Sequence, residues 1–366
     1  MIAALSVTAA VLVACATNAP ADSARVAVSP TAAAPSPAPT SSPKTGKSSG
    51  LVFSPYKDVE VGLSGDGDAV AQTTVLDGTP RPLVGPGLTL QSALPQLKTV
   101  TLSFATGECG SESWNGIPGQ VFADANVPAL AAAGYQYIIS AGGATDSFLC
   151  SSAAGMSEFI DRYVSDDLIG IDFDIERGES EEQIRALQQS VAAVQDRYPD
   201  LRFSFTVASL GATDGSFAGV NPTGDAVIRN VIASGLRNYT INLMVMNVGG
   251  AMPSGCVVAG DSCDLGATAI QAVENLRHTY PVVPLDRIEL TPMIGKNEWD
   301  SQLFTLQDVD EMTAYAVQNG LAGLHPWSID RDTPCAAGAI SRSCSSMPDV
   351  PVLGYTQRFL ADLGRL

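Results

Sequence analysis

From Leu51 onward the chain alternates short apolar runs with longer stretches whose apolar residues recur at helical spacing. Eight runs are rich in β-branched and aromatic residues: 52–61, 99–105, 135–141, 168–176, 201–209, 239–247, 287–294 and 323–329. Each predicts a strand. Between them the spacing predicts helices over 121–134, 180–198, 222–235, 267–280 and 305–320, with a last one near 353–363. Ser180 and Gln183 have capping-box spacing, and Thr305 with Asp308 forms a weaker version. Gly134, Gly235 and Gly320 stand where C-caps belong.

Eight strands alternating with helices imply an α/β fold of the (β/α)8 (TIM) barrel type over residues 51–366. The rival is a doubly wound open sheet. That fold should carry a glycine-rich phosphate loop after its first strand, and none is there; Gly142-Gly143 after the third strand is only a two-glycine turn. In a barrel the chemistry sits at the C-terminal ends of the strands.

Composition adds two constraints. Hydrophobic residues make up 45% of the 366 positions, enough for a sizeable core, and the formal charge of −18 argues against nucleic-acid binding. An acidic surface suits a neutral or weakly cationic substrate. A monomer without cofactor is expected.

The N-terminus reads as an export signal. Residues 1–14 are apolar but too short to span a bilayer, and they lead into Leu12-Val13-Ala14-Cys15. This resembles the lipobox of bacterial lipoproteins, which implies lipidation of Cys15 and a membrane anchor, although no Lys or Arg precedes the run. Plain secretion is the alternative. Residues 15–50, dominated by Ala, Pro, Ser and Thr, read as an extended tether.

With Cys15 set aside, six cysteines remain, all in loops following predicted strands. Their placement predicts the disulfides Cys256–Cys263, Cys335–Cys344 and Cys109–Cys150, consistent with an oxidising compartment. No C-x-x-C pair is present, so a zinc site has little support.

The fourth run carries the chemistry. Residues two apart on a strand share a face, so Asp172, Asp174 and Glu176 point one way and Ile171, Phe173 and Ile175 the other. Three solvated acids on an edge strand conflict with those apolar neighbours. A calcium loop needs a glycine turn and polar spacers, which are absent. An acid–base row fits: crowded carboxylates raise one another's proton affinity, leaving the outermost, Glu176, able to act as general acid.

The segment from Gly170 to Glu176 resembles the DGxDxDxE signature of glycoside hydrolase family 18, the chitinases and their relatives. Ser140-Ala141-Gly142-Gly143 resembles that family's SxGG motif, and Met244-Val245-Met246-Asn247 its strand-six motif. Thr291–Gly295 and Trp327–Asp332 resemble the bacterial chitinase D-like branch. The resemblance runs from residue 52 to about 363. It implies hydrolysis of β-1,4-linked N-acetylglucosamine polymers by a substrate-assisted retaining route. Glu176 would protonate the leaving oxygen, Asp174 would orient the acetamido group, and Asp172 would trade a proton with Asp174. Trp327 would floor the −1 subsite, with Asn247, Met244, Met246 and Met293 around the substrate.

Two departures stand out. Ile169 replaces the motif's first Asp, and Asn247 replaces the usual strand-six Asp without its neighbouring Tyr. The second touches the acetamido cradle, and it keeps open an endo-β-N-acetylglucosaminidase or a non-catalytic sugar binder. Trp114 and Trp299, in loops after strands two and seven, are outer sugar platforms or hydrophobic plugs. Tyr56 is expected to line the pocket floor. His278 and His325 read as structural.

Overall fold

The computed structural model describes residues 50–62, 70–338 and 340–366. The export segment, Cys15 and most of the tether lie outside them.

The described residues form a (β/α)8 barrel. Its strands are β1 (Val52–Phe53, resumed at Tyr56–Asp58), β2 (Thr99–Ala105), β3 (Gln136–Gly142), β4 (Leu168–Asp174), β5 (Arg202–Ala208), β6 (Tyr239–Met244), β7 (Ile288–Thr291) and β8 (Gly323–Leu324). The helices that follow them in turn are α1 (Leu90–Ala93), α2 (Gly119–Ala132), α3 (Ala153–Tyr163), α4 (Glu181–Val194), α5 (Pro222–Ala233), α6 (Leu265–Thr279), α7 (Leu306–Asn319) and α8 (Gly354–Asp362). All sheet pairings around the barrel are parallel.

Closure depends on the break in β1. Pro55 has no N–H to donate, and the strand divides there. The first half pairs with β8 (Val52 opposite Gly323) and the second with β2 (Tyr56 opposite Thr101).

Several expected boundaries are corrected; the fourth, sixth and seventh runs, for example, end as strand at Asp174, Met244 and Thr291. The first run ends as strand at Asp58, because 59–62 turn into a 3-10 helix. The eighth is strand only over Gly323–Leu324, a single bridge from Met293 to Trp327 continuing it before the 3-10 turn at Ile329. Helix α3 was not anticipated; Ser152 caps it by accepting from the Gly155 N–H. Both capping boxes form, and Gly134, Gly235 and Gly320 take positive φ as the C-cap positions require.

On β4, Ile171 and Phe173 face the helices, where Phe173 stacks on Phe205 with centroids 5.5 Å apart. Asp172 and Asp174 are buried on the opposite, inward side. All three expected disulfides are present: Cys109–Cys150, Cys256–Cys263 and Cys335–Cys344, with Cα separations of 5.1, 5.8 and 5.9 Å. Each braces loops on the strand-end face.

Candidate active site

The barrel interior is polar in layers. Lowest lies Glu289 of β7, which accepts from Ser204 Oγ at 2.8 Å and Thr240 Oγ1 at 2.9 Å and pairs with Arg202. His325 stands beside it, with Nε2 3.4 Å from Oε1. Burial pushes the Glu289 carboxyl up, but the Arg202 and His325 charges outweigh it and bring it to about 2.

Above this sits Asp172. Its Oδ2 accepts from Ser140 Oγ at 2.6 Å and Tyr56 Oη at 2.9 Å, and its Oδ1 accepts from Thr206 Oγ1 at 2.6 Å. Asn242 lies behind the last two hydroxyls. Its Nδ2 is 3.2 Å from Tyr56 Oη and 2.8 Å from Thr206 Oγ1, while its Oδ1 accepts from Thr291 Oγ1 at 2.9 Å. Burial pushes the Asp172 carboxyl above its ordinary range, and the three hydroxyls pull it back.

Asp174 has no such support. Burial, then the charges of Glu176 and Asp172, hold its carboxyl well above the usual range. It therefore holds its proton more tightly than an ordinary carboxyl, and it donates to Glu176. Its Oδ1 is buried with no hydrogen-bond partner among the described residues. Glu176 reaches solvent at the mouth. The protein packed around its carboxyl pushes it up to about 6; the hydrogen bond from Asp174 opposes this, and Glu298 and Glu179 add to it.

The glycines after Ser140 admit this row. A Cβ on Gly142 would lie 2.1 Å from the Asp174 carbonyl oxygen, and one on Gly143 would lie 2.7 Å from the Phe104 ring. The Gly143 N–H donates to that same carbonyl at 2.9 Å.

An aromatic wall faces the acids. Trp327 is half-buried and stacks on Phe104, with Tyr56 tilted against both. The residues after Trp327 fix it. Asp330 pairs with Lys57 at 2.9 Å, both side chains fully buried. Arg331 donates to the carbonyls of Ile294 (3.0 Å) and Lys296 (2.7 Å). Asp332 accepts from the Tyr355 and Thr356 N–H groups at the start of α8, at 3.0 and 2.7 Å.

Asn247 adopts a left-handed φ of 51°, which Asn tolerates better than most side chains. Its Oδ1 accepts from the Glu298 N–H at 2.9 Å and its N–H reaches Asn297 Oδ1 at 3.4 Å. Half of its amide is therefore committed to the 295–304 hairpin; Nδ2 lies 4.0 Å from Met293 Sδ. Met244 and Met293 are nearly enclosed, and Met246 is half-buried.

Two sequence expectations are corrected. Trp114 is no sugar platform: it is fully buried, stacks on Phe122 with centroids 3.9 Å apart, and donates to Tyr163 Oη at 2.8 Å. Tyr56 does not line an open floor; at 2% exposure it lies beneath it, bonded to Asp172. Trp299 is half-exposed on the hairpin after β7, as a platform requires. Phe104, Thr206 and Asn242 were missed. The available signal for Thr206 and Asn242 was a polar residue at inward parity on an otherwise apolar strand; Phe104 gave none.

Similar proteins bear on this geometry. No family model matches the chain. It is 26% identical over 228 residues to the probable bifunctional chitinase/lysozyme of Escherichia coli, a match covering 57% of this chain and 24% of that protein. It is 26% identical over 237 residues to endochitinase 11 of Metarhizium anisopliae, covering 59% and 44%. The chain thus spans less than half the length of either relative. Catalytic-site mutants of active domain 2 of a thermostable chitinase from Pyrococcus furiosus, complexed with chito-oligosaccharides, superpose with a TM-score of 0.63 at 28% identity over 85% of this chain and 94% of that one. In fold and in sequence, the chain is similar to chitinases, which are glycoside hydrolases.

Proposed function

We propose that this protein is an exported hydrolase of glycoside hydrolase family 18, of the chitinase D-like branch, cleaving β-1,4-linked N-acetylglucosamine chains. The observation that carries the reading is Asp174, which is buried and of raised proton affinity, with an unpartnered Oδ1 beside a solvent-reaching Glu176 whose proton affinity is also raised. An unpaired buried oxygen is costly, and an acetamido N–H supplies the missing donor.

Protonated Glu176 gives its proton to the glycosidic oxygen as the C1–O bond breaks. The sugar's own acetamido oxygen bonds to C1, forming an oxazolinium ion. Asp174 holds the acetamido N–H, and the negative charge shared by Asp172 and Asp174 opposes the positive charge that develops. Water then adds to C1, its proton returning to Glu176 as the ring opens. Trp327 offers an apolar face to the sugar's C–H groups, and Trp299 extends that surface outward. Asn247 Nδ2 donates to the weak Met293 Sδ acceptor at 4.0 Å and has a second N–H to offer substrate. Lipidation of Cys15 would tether the enzyme to the bacterial surface.

The test is an assay of the domain from residue 51 on chito-oligosaccharides and on a glycoprotein bearing N-glycans. Turnover of the oligosaccharide supports the chitinase reading. Turnover of the glycoprotein alone reassigns it to endo-β-N-acetylglucosaminidase, and binding without turnover of either overturns catalysis.

A further inference from the structure

Asn242 touches none of the three acids, yet it decides which way two hydroxyls point. Tyr56 Oη and Thr206 Oγ1 each carry one proton. Each lies within hydrogen-bond distance of Asp172 on one side and of the Asn242 amide on the other. A hydroxyl can donate to only one of them. Because Asn242 presents Nδ2 to both, both must accept from it and donate to Asp172. The amide is held in this sense by Thr291, whose hydroxyl donates to Oδ1. The reverse orientation would offer both hydroxyl protons an amide oxygen in competition with Asp172, in place of the arrangement in which their only other contact is with each other, at 3.3 Å. All five side chains are buried, so no bulk water reorients the chain of donors.

Building on the hydrolase reading, we infer that Asn242 is a positioning residue that offers Tyr56 and Thr206 an amide donor and no amide acceptor, so that both donate to Asp172 and favour its charged form. The consequence is functional. With Asp172 neutral and Asp174 still protonated, the inner pair carries no charge and the developing cation loses its counter-ion. The titratable groups facing Asp172 are Tyr56 from β1, Asp174 on its own strand and His325 from β8, with Glu289 behind His325. Ser140, Thr206 and Asn242 contribute only neutral groups, so hydroxyl direction is the device available on that side.

The experiment compares Asn242→Asp and Asn242→Leu with wild type in the full-length chain, reading both the pH–rate profile on a chito-oligosaccharide and the pH dependence of thermal unfolding. An Asp at 242 presents two acceptors, turns the hydroxyl protons away and adds a like charge. The acid limb of kcat should move up by about one pH unit or more, since a neighbouring charge or lost donors shift a carboxylate by about that much, with KM little changed. Leu presents neither donor nor acceptor, leaves both hydroxyls free to donate to Asp172, and should keep the limb in place whatever it does to stability. Thr291→Val, which frees the amide to flip, should shift the limb in the same direction as Asp and by less, and it keeps the test available should the Asp variant not fold. Superimposable acid limbs for the folded Asp and Val variants would overturn the inference, as would an equal shift in Leu. If wild type has no turnover, the hydrolase reading fails by itself. The positioning role is then judged on the unfolding data, where the Asp variant should alter the pH dependence and Leu should not.

Discussion

Trp327 and Phe104 stack with ring centroids 5.5 Å apart and planes 15° from parallel, although 223 positions separate them along the chain. Phe104 closes one face of the indole and leaves the other to the cleft. A sugar stacked on Trp327 therefore meets a ring already held in place, without the entropy cost of ordering it. Trp327→Ala should lower kcat/KM on chito-oligosaccharides by about ten- to a hundredfold, roughly 1.4 to 2.8 kcal/mol. Phe104→Leu should lose less, chiefly in KM. Steady-state kinetics of the two variants check the order.

Glu176→Gln should reduce turnover by at least about a hundredfold, the scale of lost general-acid catalysis, while melting with wild type in acid and no lower than wild type at neutral pH. In wild type, burial and acidic neighbours bring this carboxyl to about 6, so the protonated acid disappears as pH rises through that value. The rate should fall along a basic limb there. A wild-type profile flat from pH 5 to 8 would remove Glu176 from the role.

Asp174 gives a stability prediction with a definite sign. Its folded-state proton affinity is raised above that of the unfolded chain, so its contribution is fully present below the unfolded value and is lost as pH rises through the folded one. Asp174→Asn keeps an N–H donor for Glu176 and carries no ionisable group. It should match wild type in acid, melt higher than wild type at neutral and alkaline pH, and be inactive. Thermal scans between pH 4 and 9 check this.

Trp114→Phe should leave KM unchanged while costing about 1 to 3 kcal/mol of stability, because Tyr163 Oη loses its indole donor inside the fold. A raised KM with intact stability would return Trp114 to the cleft.

Much of this molecule was legible in its sequence, and the limits have physical causes. The row Asp172-Asp174-Glu176 could be read because strand parity is a local rule, and because a barrel interior ordinarily holds Val, Ile and Leu at such positions. The disulfides followed from the loops that hold their cysteines. Trp114 was ambiguous because a tryptophan after a strand looks the same whether it plugs or protrudes. Its burial depends on Phe122 and Tyr163, which only the packed helices bring to it. The Asp172 donors come from β1, β3 and β5, and Asn242 behind them from β6; no pattern within one strand reveals that they meet. Helix α3 was overlooked because its opening residues, Ala153-Ala154-Gly155, carry no large apolar side chain to mark a period.

The divided first strand has a consequence in time. Tyr56 lies near the start of the folded region and donates to Asp172, while Trp327 and the Asp330 that grips Lys57 arrive near its end. A ribosome delivers these groups in order, and the ring stays open until the last strand docks on the first. Any nascent or clipped chain lacking residues from about 323 onward carries all three acids but neither the closing strand nor Trp327, so the site becomes competent only when the two ends of the barrel join.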